Sequence, residues 1–490
     1  MSADPARPLL LDRIRRAIAR TPEAPAFLGV SAISYRAMRA LIGSAMRTLD
    51  AQGIRAGQVV ALTLSQSPLH LIAFLALARL GAITVSTSPI AKDADRAALY
   101  RRFGVTAVVT ELENAGVPGV SLVLLRHVGA KGDENEFDDW PYEPVGSTPL
   151  RIALTSGTVG EQKGIEQNHE EFAWRLDRRF YGDEGLPRVL PPNLHVTASL
   201  TLAFHALARG GAVVFPPDYD AASLFSTIRG FGVTHVAFPP AHAAMMLPMM
   251  KGDGPAFPTV SHFRLLGSAP SPSLLEELRR KVSPHIHVSY STTEIGVIAM
   301  ATPELLASHP EATGRLVPDA QLQVVDEQGQ VLPRNAPGEF RARVPGMPRG
   351  YFGGADADRF RDGWFYPRDM GYVTDDGLVY VQGRVDDVIN AGGRKLSPRY
   401  AEAILEEHAS VSEAAVFALD GMSVGALVVA RGPVDWPALD RFARGRLELL
   451  APQRYFEVAS IPRNATGKIR RGDLAAAASS VAATLRHPAK

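Results

Sequence analysis

The first 125 residues alternate between helical and strand-like patterns, and this alternation restricts the fold more than any other feature of the chain. Helix is predicted over 35–51 and 69–80, buried strand over 58–64, and a further strand from 81. Such alternation is typical of βαβ units, in which helices connect neighbouring strands of a parallel sheet. The sequence therefore predicts an α/β fold for this part of the chain.

The rest of the chain changes character twice. The α/β alternation continues over 151–300, whereas 320–381 contains short alternating strands separated by Gly and Pro turns, as in an antiparallel sheet. A small α/β unit follows from about 387, with a helix predicted over 398–408. We therefore expect an α/β protein with a large N-terminal domain of α/β sheets, a β-rich subdomain and a small C-terminal α/β domain. The polar segment 129–149 is interpreted as a surface loop.

Composition excludes several classes of protein. The 490 residues include 52 basic and 51 acidic side chains, so bulk charge does not favour nucleic-acid binding. Cysteine is absent, which excludes disulfides, zinc–thiolate sites and a thiol nucleophile. The most apolar stretch, 69–85, contains His70 and Arg79 and is too short to span a membrane. With no targeting segment recognised, a cytoplasmic protein is expected.

A loop rich in glycine and hydroxyl residues, 154–164, gives the clearest chemical signal. Its glycines allow successive backbone N–H groups to converge on phosphate oxygens, and its hydroxyls and lysine add further donors. It does not match the spacing of the common phosphate-binding P-loop. In isolation such a stretch is more often a flexible loop, so its interpretation depends on segments downstream. The candidate phosphate contacts are Thr155, Ser156, Gly157, Thr158, Gly160 and Lys163.

The loop resembles the signature [ST]-S-G-[ST]-[ST]-G-x-P-K-G of the adenylate-forming superfamily, which includes acyl- and aryl-CoA synthetases and peptide-synthetase adenylation domains. Val159 and Gln162 depart from that pattern. Later segments match other motifs of the family in the same order, so that the resemblance covers essentially the whole chain. These segments are 290–294 (YSTTE), 338–339 with 350–351, 364–372 (WFYPRDMGY), 383–389 (GRVDDVI) and 462–470 (PRNATGKIR).

The resemblance implies a role for each matching residue. Lys468 is implied to be the adenylation lysine, Thr293 to contact the α-phosphate and Glu294 to bind Mg²⁺, which prefers oxygen ligands. Asp369 and Arg384 are implied to contact the ribose, although Pro367-Arg368 replaces the usual Thr-Gly pair before Asp369. The remaining nucleotide contacts are implied to be Tyr290, Ser291 and Thr292, with Gly267, Ser268 and Ala269 lining the adenine and acyl pocket.

The acyl substrate is expected to lie near His195 and Gly267. His195 stands fifteen residues before Gly210, where the family has a histidine close to the substrate carboxylate. A packed or surface histidine is the alternative, and His205, inside a helical pattern, is a weaker candidate. Relatives that activate amino acids carry an aspartate here, whereas residues 193–206 contain no acidic side chain. An α-amino acid substrate is therefore disfavoured, and both aryl and fatty acids stay open.

The resemblance implies ATP-dependent formation of an acyl-AMP and then of a thioester. Because the chain has no cysteine, the acceptor thiol must come from outside, from coenzyme A or alternatively from the phosphopantetheine arm of a carrier protein. Asp386 is implied to be a hinge between a domain of residues 1–385 and a mobile C-terminal domain of residues 386–490. A catalytically silent nucleotide-binding relative is a third alternative, and the oligomeric state, monomer or homodimer, stays open.

Overall fold

The structure is a computed structural model that describes residues 7–126, 136–155, 162–177, 185–252, 254–354, 357–391, 394–419, 423–463, 468–481 and 485–486. The helices in these ranges are α1 (Leu10–Arg20), α2 (Tyr35–Ala51), α3 (Pro68–Leu80), α4 (Asp93–Phe103), α5 (Glu136–Asp139), α6 (His169–Asp177), α7 (Thr197–Arg209), α8 (Ala221–Gly230), α9 (Pro240–Met245), α10 (Pro272–Lys281), α11 (Pro303–Ser308), α12 (Pro398–Glu406), α13 (Trp436–Leu447) and α14 (Leu474–Ser479).

The strands fall into two large sheets and two small ones. They are β1 (Pro25–Leu28), β2 (Ile33–Ser34), β3 (Val59–Thr63), β4 (Ile83–Ser86), β5 (Val105–Thr110), β6 (Ser121–Leu124), β7 (Pro149–Leu154), β8 (Gly164–Asn168), β9 (Arg188–Leu190), β10 (Ala212–Val214), β11 (His235–Phe238), β12 (His262–Leu265), β13 (Ile286–Thr292), β14 (Gly296–Ala301), β15 (Gly314–Leu316), β16 (Gln321–Val325), β17 (Gly338–Arg343), β18 (Phe360–Arg361), β19 (Trp364–Phe365), β20 (Asp369–Val373), β21 (Leu378–Arg384), β22 (Ile389–Ala391), β23 (Arg394–Leu396), β24 (Val411–Ala418), β25 (Val424–Ala430), β26 (Arg454–Glu457) and β27 (Leu485–Arg486).

Local sequence signals account for the elements of the N-terminal part. The Ser34 hydroxyl caps α2 by accepting from the backbone N–H of Ala37 at 3.2 Å, and Gly81 ends α3 in the left-handed conformation that glycine favours. Helix α2 has the predicted bounds, and α3 begins one residue earlier than predicted. Strand β3 lies within the predicted 58–64. The expected helix–strand alternation is therefore confirmed.

One sheet has the order β6–β5–β3–β4–β7–β8. Its first five strands are parallel, as the alternation predicts, and β8 pairs antiparallel to β7 at the edge. The largest apolar cluster packs α1, α2, α3 and α7 beside this sheet and includes Leu10, Met38, Phe74 and Phe204. This core fixes the position of β7, whose carboxyl end leads into the loop at 154–164.

The second large sheet combines a parallel and an antiparallel half. Its order is β18–β19–β17–β20–β21–β15–β14–β13–β12–β11–β9–β10–β1–β2, with β16 also paired to β17. Strands β9 to β13 contribute the parallel part, whereas β16, β17, β20 and β21 pair antiparallel. The antiparallel region predicted over 320–381 is confirmed, and it continues the sheet formed by the preceding strands.

The C-terminal part has its own apolar packing. Strands β24, β25, β26 and β27 form a four-stranded sheet, and β22 pairs with β23. Two apolar clusters of the described residues lie here, one including Ile389, Leu405 and Tyr455 and the other including Phe417 and Leu474. Neither cluster includes a residue before 389. The small α/β unit predicted at this end is therefore present.

The polar segment 129–149 is only partly an exposed loop. Residues 127–135 lie outside the described residues, but α5 follows them, and its Phe137 is fully buried. The buried guanidinium of Arg79 donates to the backbone oxygens of Phe137, Asp138 and Trp140. The sequence analysis did not predict these hydrogen bonds, because Arg79 and its acceptors are about sixty residues apart in the sequence.

The helices of the described residues give no candidate for a membrane span, since none is both long and apolar enough. The most apolar stretch of the sequence, 69–85, covers most of α3, a core helix of 13 residues, and extends into β4. Its His70 and Arg79 are both buried within the protein.

Three stacked imidazoles cross β11, β12 and β13. The ring centroids of His235 and His262 are 4.7 Å apart, and those of His262 and His287 are 4.9 Å apart. Burial, together with the neighbouring imidazole of His262, lowers the pKa of His235 to about 3. His235 is therefore neutral in the folded protein and becomes protonated on unfolding below about pH 6.5.

We expect acid to destabilise the protein through these groups. As pH falls from about 6.5 toward 4, the unfolded chain binds protons that folded His235 does not, so the free energy of unfolding decreases. His235→Asn should reduce this slope by about 1 kcal/mol per pH unit between pH 6 and 4. Urea unfolding at several pH values measures the slope, and an equal slope in both proteins would contradict the assignment.

Candidate active site

A single cleft of about 1670 Å³ brings together all the predicted site residues that the structure describes. Four of the predicted phosphate contacts, Ser156, Gly157, Thr158 and Gly160, lie outside the described residues. The cleft exceeds the volume of a typical site for one small ligand. The predicted residues that line it are Thr155, Lys163, His195, Gly267, Ser268, Ala269, Tyr290, Ser291, Thr292, Thr293, Glu294, Asp369, Arg384, Asp386 and Lys468.

The carboxyl ends of parallel strands supply one wall of the cleft, which is where open α/β sheets bind ligands. Gly267, Ser268 and Ala269 follow β12, and Tyr290 to Thr292 end β13. Gly267 has a φ of 90°, so the chain turns sharply there in a conformation that favours glycine. The wall is therefore a consequence of the parallel topology.

The predicted phosphate loop closes between two paired strands. Leu154 pairs with Gly164 in the β7–β8 register, and the backbone N–H of Thr155 donates to the Lys163 carbonyl at 2.8 Å. The Lys163 ammonium lies 5.6 Å from the centroid of the Tyr351 ring, at the edge of the cleft. Both ends of the loop are thus fixed, and Lys163 faces the side of the cleft that holds Glu294.

Glu294 is held in the turn between β13 and β14. The Tyr351 hydroxyl donates to Glu294 Oε1 at 2.6 Å, and the Arg175 guanidinium donates to the Glu294 backbone oxygen. Burial and the Glu294 carboxylate raise the pKa of Tyr351, so its phenol stays protonated and remains a donor. A carboxylate oriented by such a bond is suited to bind a hard cation.

Asp369 lies at the start of β20, opposite Arg384 on β21. Its Oδ2 accepts a hydrogen bond of 2.6 Å from the Tyr290 hydroxyl, and its Oδ1 lies 3.7 Å from Arg384 Nη1. Burial raises the pKa of Asp369, while Arg384 and the Tyr290 hydroxyl oppose that shift. A carboxylate beside a guanidinium can accept from a vicinal diol, as the predicted ribose contact requires.

The replacement of Thr-Gly by Pro367-Arg368 leaves Asp369 facing the cleft. Arg368 adopts a φ of 64°, the left-handed conformation that a glycine at this position would take without strain. The next residue enters β20 in register with Arg384. The backbone therefore keeps the path expected for a glycine, with an arginine side chain added.

Lys468 reaches the cleft from the C-terminal part of the chain. Burial lowers its pKa, and the negative charges of Asp369 and Glu294 oppose that shift. These two carboxylates belong to β20 and to the β13–β14 turn, far from Lys468 in the sequence. Residues 464–467, which precede it, lie outside the described residues. The structure thus brings a desolvated ammonium group to the predicted nucleotide side of the cleft.

His195 lines the cleft at its predicted acyl end, just before α7. Its ring centroid is 5.1 Å from that of His70, and burial lowers the pKa of His195 to about 4. A neutral imidazole can donate to a carboxylate without a charge of its own. His205 lies on α7, as predicted, and its Nδ1 is 3.1 Å from the Leu176 carbonyl.

Apolar side chains form part of the predicted acyl end, together with polar ones such as Tyr219 and His242. Phe238, Pro239 and Pro240 line the cleft at the carboxyl end of β11. The methionines that follow do not line the cleft: Met246 is buried in the core and Met245 is 59% exposed.

The sequence interpretation missed three residues that organise this site. Arg175 has no motif around it, and Tyr351 lies in a motif-matching segment to which no role was assigned. His70 lies on α3 in the most apolar stretch of the chain. Only Tyr351, as part of the Gly350-Tyr351 pair, carried a signal in the sequence that could have identified it.

Comparisons with known proteins identify the family of the chain. The family model described as "AMP-binding enzyme" matches residues 14–352. The chain is 28% identical to 4-coumarate–CoA ligase 5 from Oryza sativa, over 91% of this chain and 89% of that protein. It is 30% identical to the fatty acid–[acyl-carrier-protein] ligase ScoC from Streptomyces coeruleorubidus, over 75% of each chain.

Solved structures share the fold. O-succinylbenzoate coenzyme A synthetase (MenE) from Bacillus subtilis, in complex with ATP and magnesium ion, superposes with a TM-score of 0.82 at 23% identity, covering 94% of this chain and 98% of that one. ATP-bound MatB from Rhodopseudomonas palustris gives a TM-score of 0.85 at 22% identity, covering 96% and 99%. Because the family model spans well over half of the sequence, the chain belongs to the AMP-binding enzyme family of the adenylate-forming superfamily.

Proposed function

We propose that this protein activates a carboxylic acid with ATP and transfers the acyl group to coenzyme A. The observation that carries the proposal is the convergence of Lys468, Asp369 and Glu294 on one cleft. The carboxylate attacks the α-phosphorus of ATP, forming acyl-AMP and releasing pyrophosphate. Since an anion approaches a polyanion, catalysis depends on cations placed at the transferring group. Lys468 supplies such a charge from the C-terminal side.

The residues present fit Mg²⁺. The described residues contain no group of three or more His, Asp or Glu side chains able to hold a metal. Glu294 is a single carboxylate oriented by Tyr351, which suits an ion held by one carboxylate together with substrate phosphates. Mg²⁺ bound there would supply positive charge that neutralises the phosphates. Thr293 and Lys163 would contact the phosphates directly.

The acid is expected to be an aryl or fatty acid. The acyl end of the cleft presents Phe238, Pro239 and Pro240 near the neutral imidazole of His195. No acidic residue within 193–206 is available to pair with an α-amino group. Apolar walls together with a neutral donor favour an uncharged acyl group whose carboxylate lies near His195.

We also propose that residues 386–490 form a domain that rotates about Asp386. The separate apolar clusters that begin at Ile389 support this boundary. Rotation would withdraw Lys468 after adenylation and admit the acceptor thiol, which must be brought in because the chain lacks cysteine. The acceptor is coenzyme A in this proposal. The cytoplasmic location stays a prediction.

A carrier-protein thiol is the second candidate acceptor. The 30% identity to the fatty acid–[acyl-carrier-protein] ligase favours it, whereas the CoA ligase from Oryza sativa matches more of the chain. The chemistry of the first step is identical in both cases. A catalytically silent relative is disfavoured, because a protein without adenylation activity does not require Lys468 in the same cleft as Asp369 and Glu294.

Acid-dependent exchange between ATP and labelled pyrophosphate tests the proposal. We expect exchange with members of a panel of aryl and fatty acids and none with α-amino acids. Coenzyme A or a holo-carrier protein is then added and the thioester is measured. Absence of exchange with every acid would refute the enzymatic proposal, and a thioester formed only on the carrier protein would refute coenzyme A as the acceptor.

Tyr351→Phe should weaken the response to magnesium. Losing the hydroxyl removes the hydrogen bond to Glu294 Oε1, and a bond to a charged group contributes enough to change affinity by roughly tenfold. The Mg²⁺ concentration for half-maximal pyrophosphate exchange should therefore rise by about that factor, with the thermal midpoint little changed. Tyr142, whose ring lies against Gly81 and does not line the cleft, provides the matched control. The same rise in Tyr142→Phe would contradict the role of Tyr351.

A further inference from the structure

Arg368 occupies a backbone position that favours glycine. Its φ of 64° lies in the left-handed region, which is unfavourable for a residue with a Cβ. The segment 364–372 resembles a family motif in which glycine stands at this position. An arginine there keeps a strained backbone conformation and adds a long charged side chain, so the contacts of that side chain are informative.

The Arg368 guanidinium bridges two acidic residues from different parts of the chain. Nη1 lies 3.2 Å from Glu339 Oε1 on β17, and Nε and Nη2 lie 3.3 Å and 3.2 Å from Asp386 Oδ1. Glu339 is mostly buried, with 17% of its side chain exposed. The bridge therefore connects a fixed strand of the large sheet to the residue predicted to be the hinge.

Main-chain and side-chain contacts together hold Asp386. The backbone N–H of Val385 donates to the Arg368 carbonyl at 2.8 Å. Arg384 Nη2 lies 3.4 Å from Asp386 Oδ2, so each oxygen of that carboxylate faces a different guanidinium. A change of backbone direction at Asp386 moves its carboxylate relative to β17 and β20 and breaks these contacts.

We propose that Arg368 is a positioning residue that holds the junction at Asp386 in the orientation that brings Lys468 into the cleft. This inference rests on the proposed function, because it assigns a consequence to rotation about Asp386. The bridge favours the orientation for acyl-AMP formation and opposes the rotation required for thioester formation. Partly exposed ion pairs are screened by salt, so high ionic strength weakens the bridge.

The absence of cysteine allows a direct measurement of domain orientation. Ala222→Cys on α8 and Arg441→Cys on α13 place two exposed labels on either side of the junction. Energy transfer between donor and acceptor dyes then reports the distance in the ligand-free protein. Arg368→Gly should shift the population away from the wild-type distance by about three- to tenfold. Added salt should move wild type in the same direction.

The two half-reactions provide the kinetic measurement. In Arg368→Gly, thioester formation from purified acyl-AMP should rise about three- to tenfold relative to pyrophosphate exchange. Glu339→Gln should produce a smaller change of the same sign because Asp386 is untouched. A purely structural role of Arg368 would instead lower both half-reactions together.

A matched control distinguishes the loss of the Arg368 ion pairs from the relief of a strained backbone conformation. Asp362 also has a left-handed φ, 53°, so Asp362→Gly relieves the backbone without removing the Arg368 contacts. An unchanged dye distance and ratio of half-reactions in Arg368→Gly, or an equal change in Asp362→Gly, would overturn the inference. Absence of pyrophosphate exchange in wild type would refute the proposed function alone, since the dye distance still reports the bridge.

Discussion

Replacing Lys468 with alanine is expected to lower the rate of acyl-AMP formation by about 10²–10³-fold. The ammonium group is desolvated in the cleft, with Asp369 and Glu294 among the charges that act on it. A charge in such an environment stabilises a transferring phosphoryl group more strongly than one in water. Pyrophosphate exchange at saturating ATP and acid measures the loss, which should appear in kcat.

The second half-reaction distinguishes a specific loss of acyl-AMP formation from a general loss of activity. Thioester formation from purified acyl-AMP should largely survive in Lys468→Ala, because this half-reaction includes no attack on ATP and needs no cation at its phosphates. Lys281→Ala provides a matched control: Lys281 pairs with Glu277 at 2.8 Å on α10, outside the proposed chemistry, and both half-reactions should persist. Equal loss of both half-reactions in Lys468→Ala would contradict the proposed rotation.

Local sequence patterns predict the elements of this fold well. The bounds of α2 coincide with its apolar periodicity because Ser34 caps its start, and α3 ends at Gly81. Such signals act over a few residues and can be recognised in one sequence. The continuation of the antiparallel strands into the same sheet as β9 to β13 has no local signal, because it depends on pairing between distant segments.

Motif resemblance predicted the residues of the site. The contacts that hold those residues in place were found only in the structure. Residue spacing alone leaves the chemistry of two segments ambiguous, the loop at 154–164 and the segment 290–294. The hydrogen bond from Tyr351 to Glu294 and the contact of Arg175 with the Glu294 backbone join residues 57 and 119 positions apart. No periodicity or capping rule links such residues, so these supports appear only when the chain is folded.

Arg471 and Glu402 form a buried ion pair beside the C-terminal sheet. Arg471 Nη1 and Nη2 lie 2.8 Å and 3.2 Å from the two oxygens of Glu402, whose side chain is fully buried. Arg471 Nε donates to Asp387 at 3.0 Å, and Glu402 Oε1 also accepts from the Val416 backbone N–H at 2.9 Å. One guanidinium therefore joins α12, β24 and the start of the C-terminal part.

Arg471→Ala should destabilise the protein by about 3–5 kcal/mol, because it leaves the Glu402 carboxylate buried without its cation. Urea unfolding followed by tryptophan fluorescence measures the change, since Trp436 packs against the apolar cluster that includes Ile389, Leu405 and Tyr455. Combining Arg471→Met with Glu402→Gln should recover much of the loss, since no uncompensated charge then stays buried.

The neighbouring residue provides the matched control for this prediction. Arg470 pairs with Asp473 at 3.0 Å, but both side chains are about half exposed, at 56% and 44%. Arg470→Ala should therefore cost at most about 1 kcal/mol, as is usual for exposed pairs. Similar losses in Arg470→Ala and Arg471→Ala would show that burial of Glu402 does not determine the stability of this region. A large loss confined to Arg471→Ala would also identify the ion pair that fixes the segment carrying Lys468, three residues earlier in the chain.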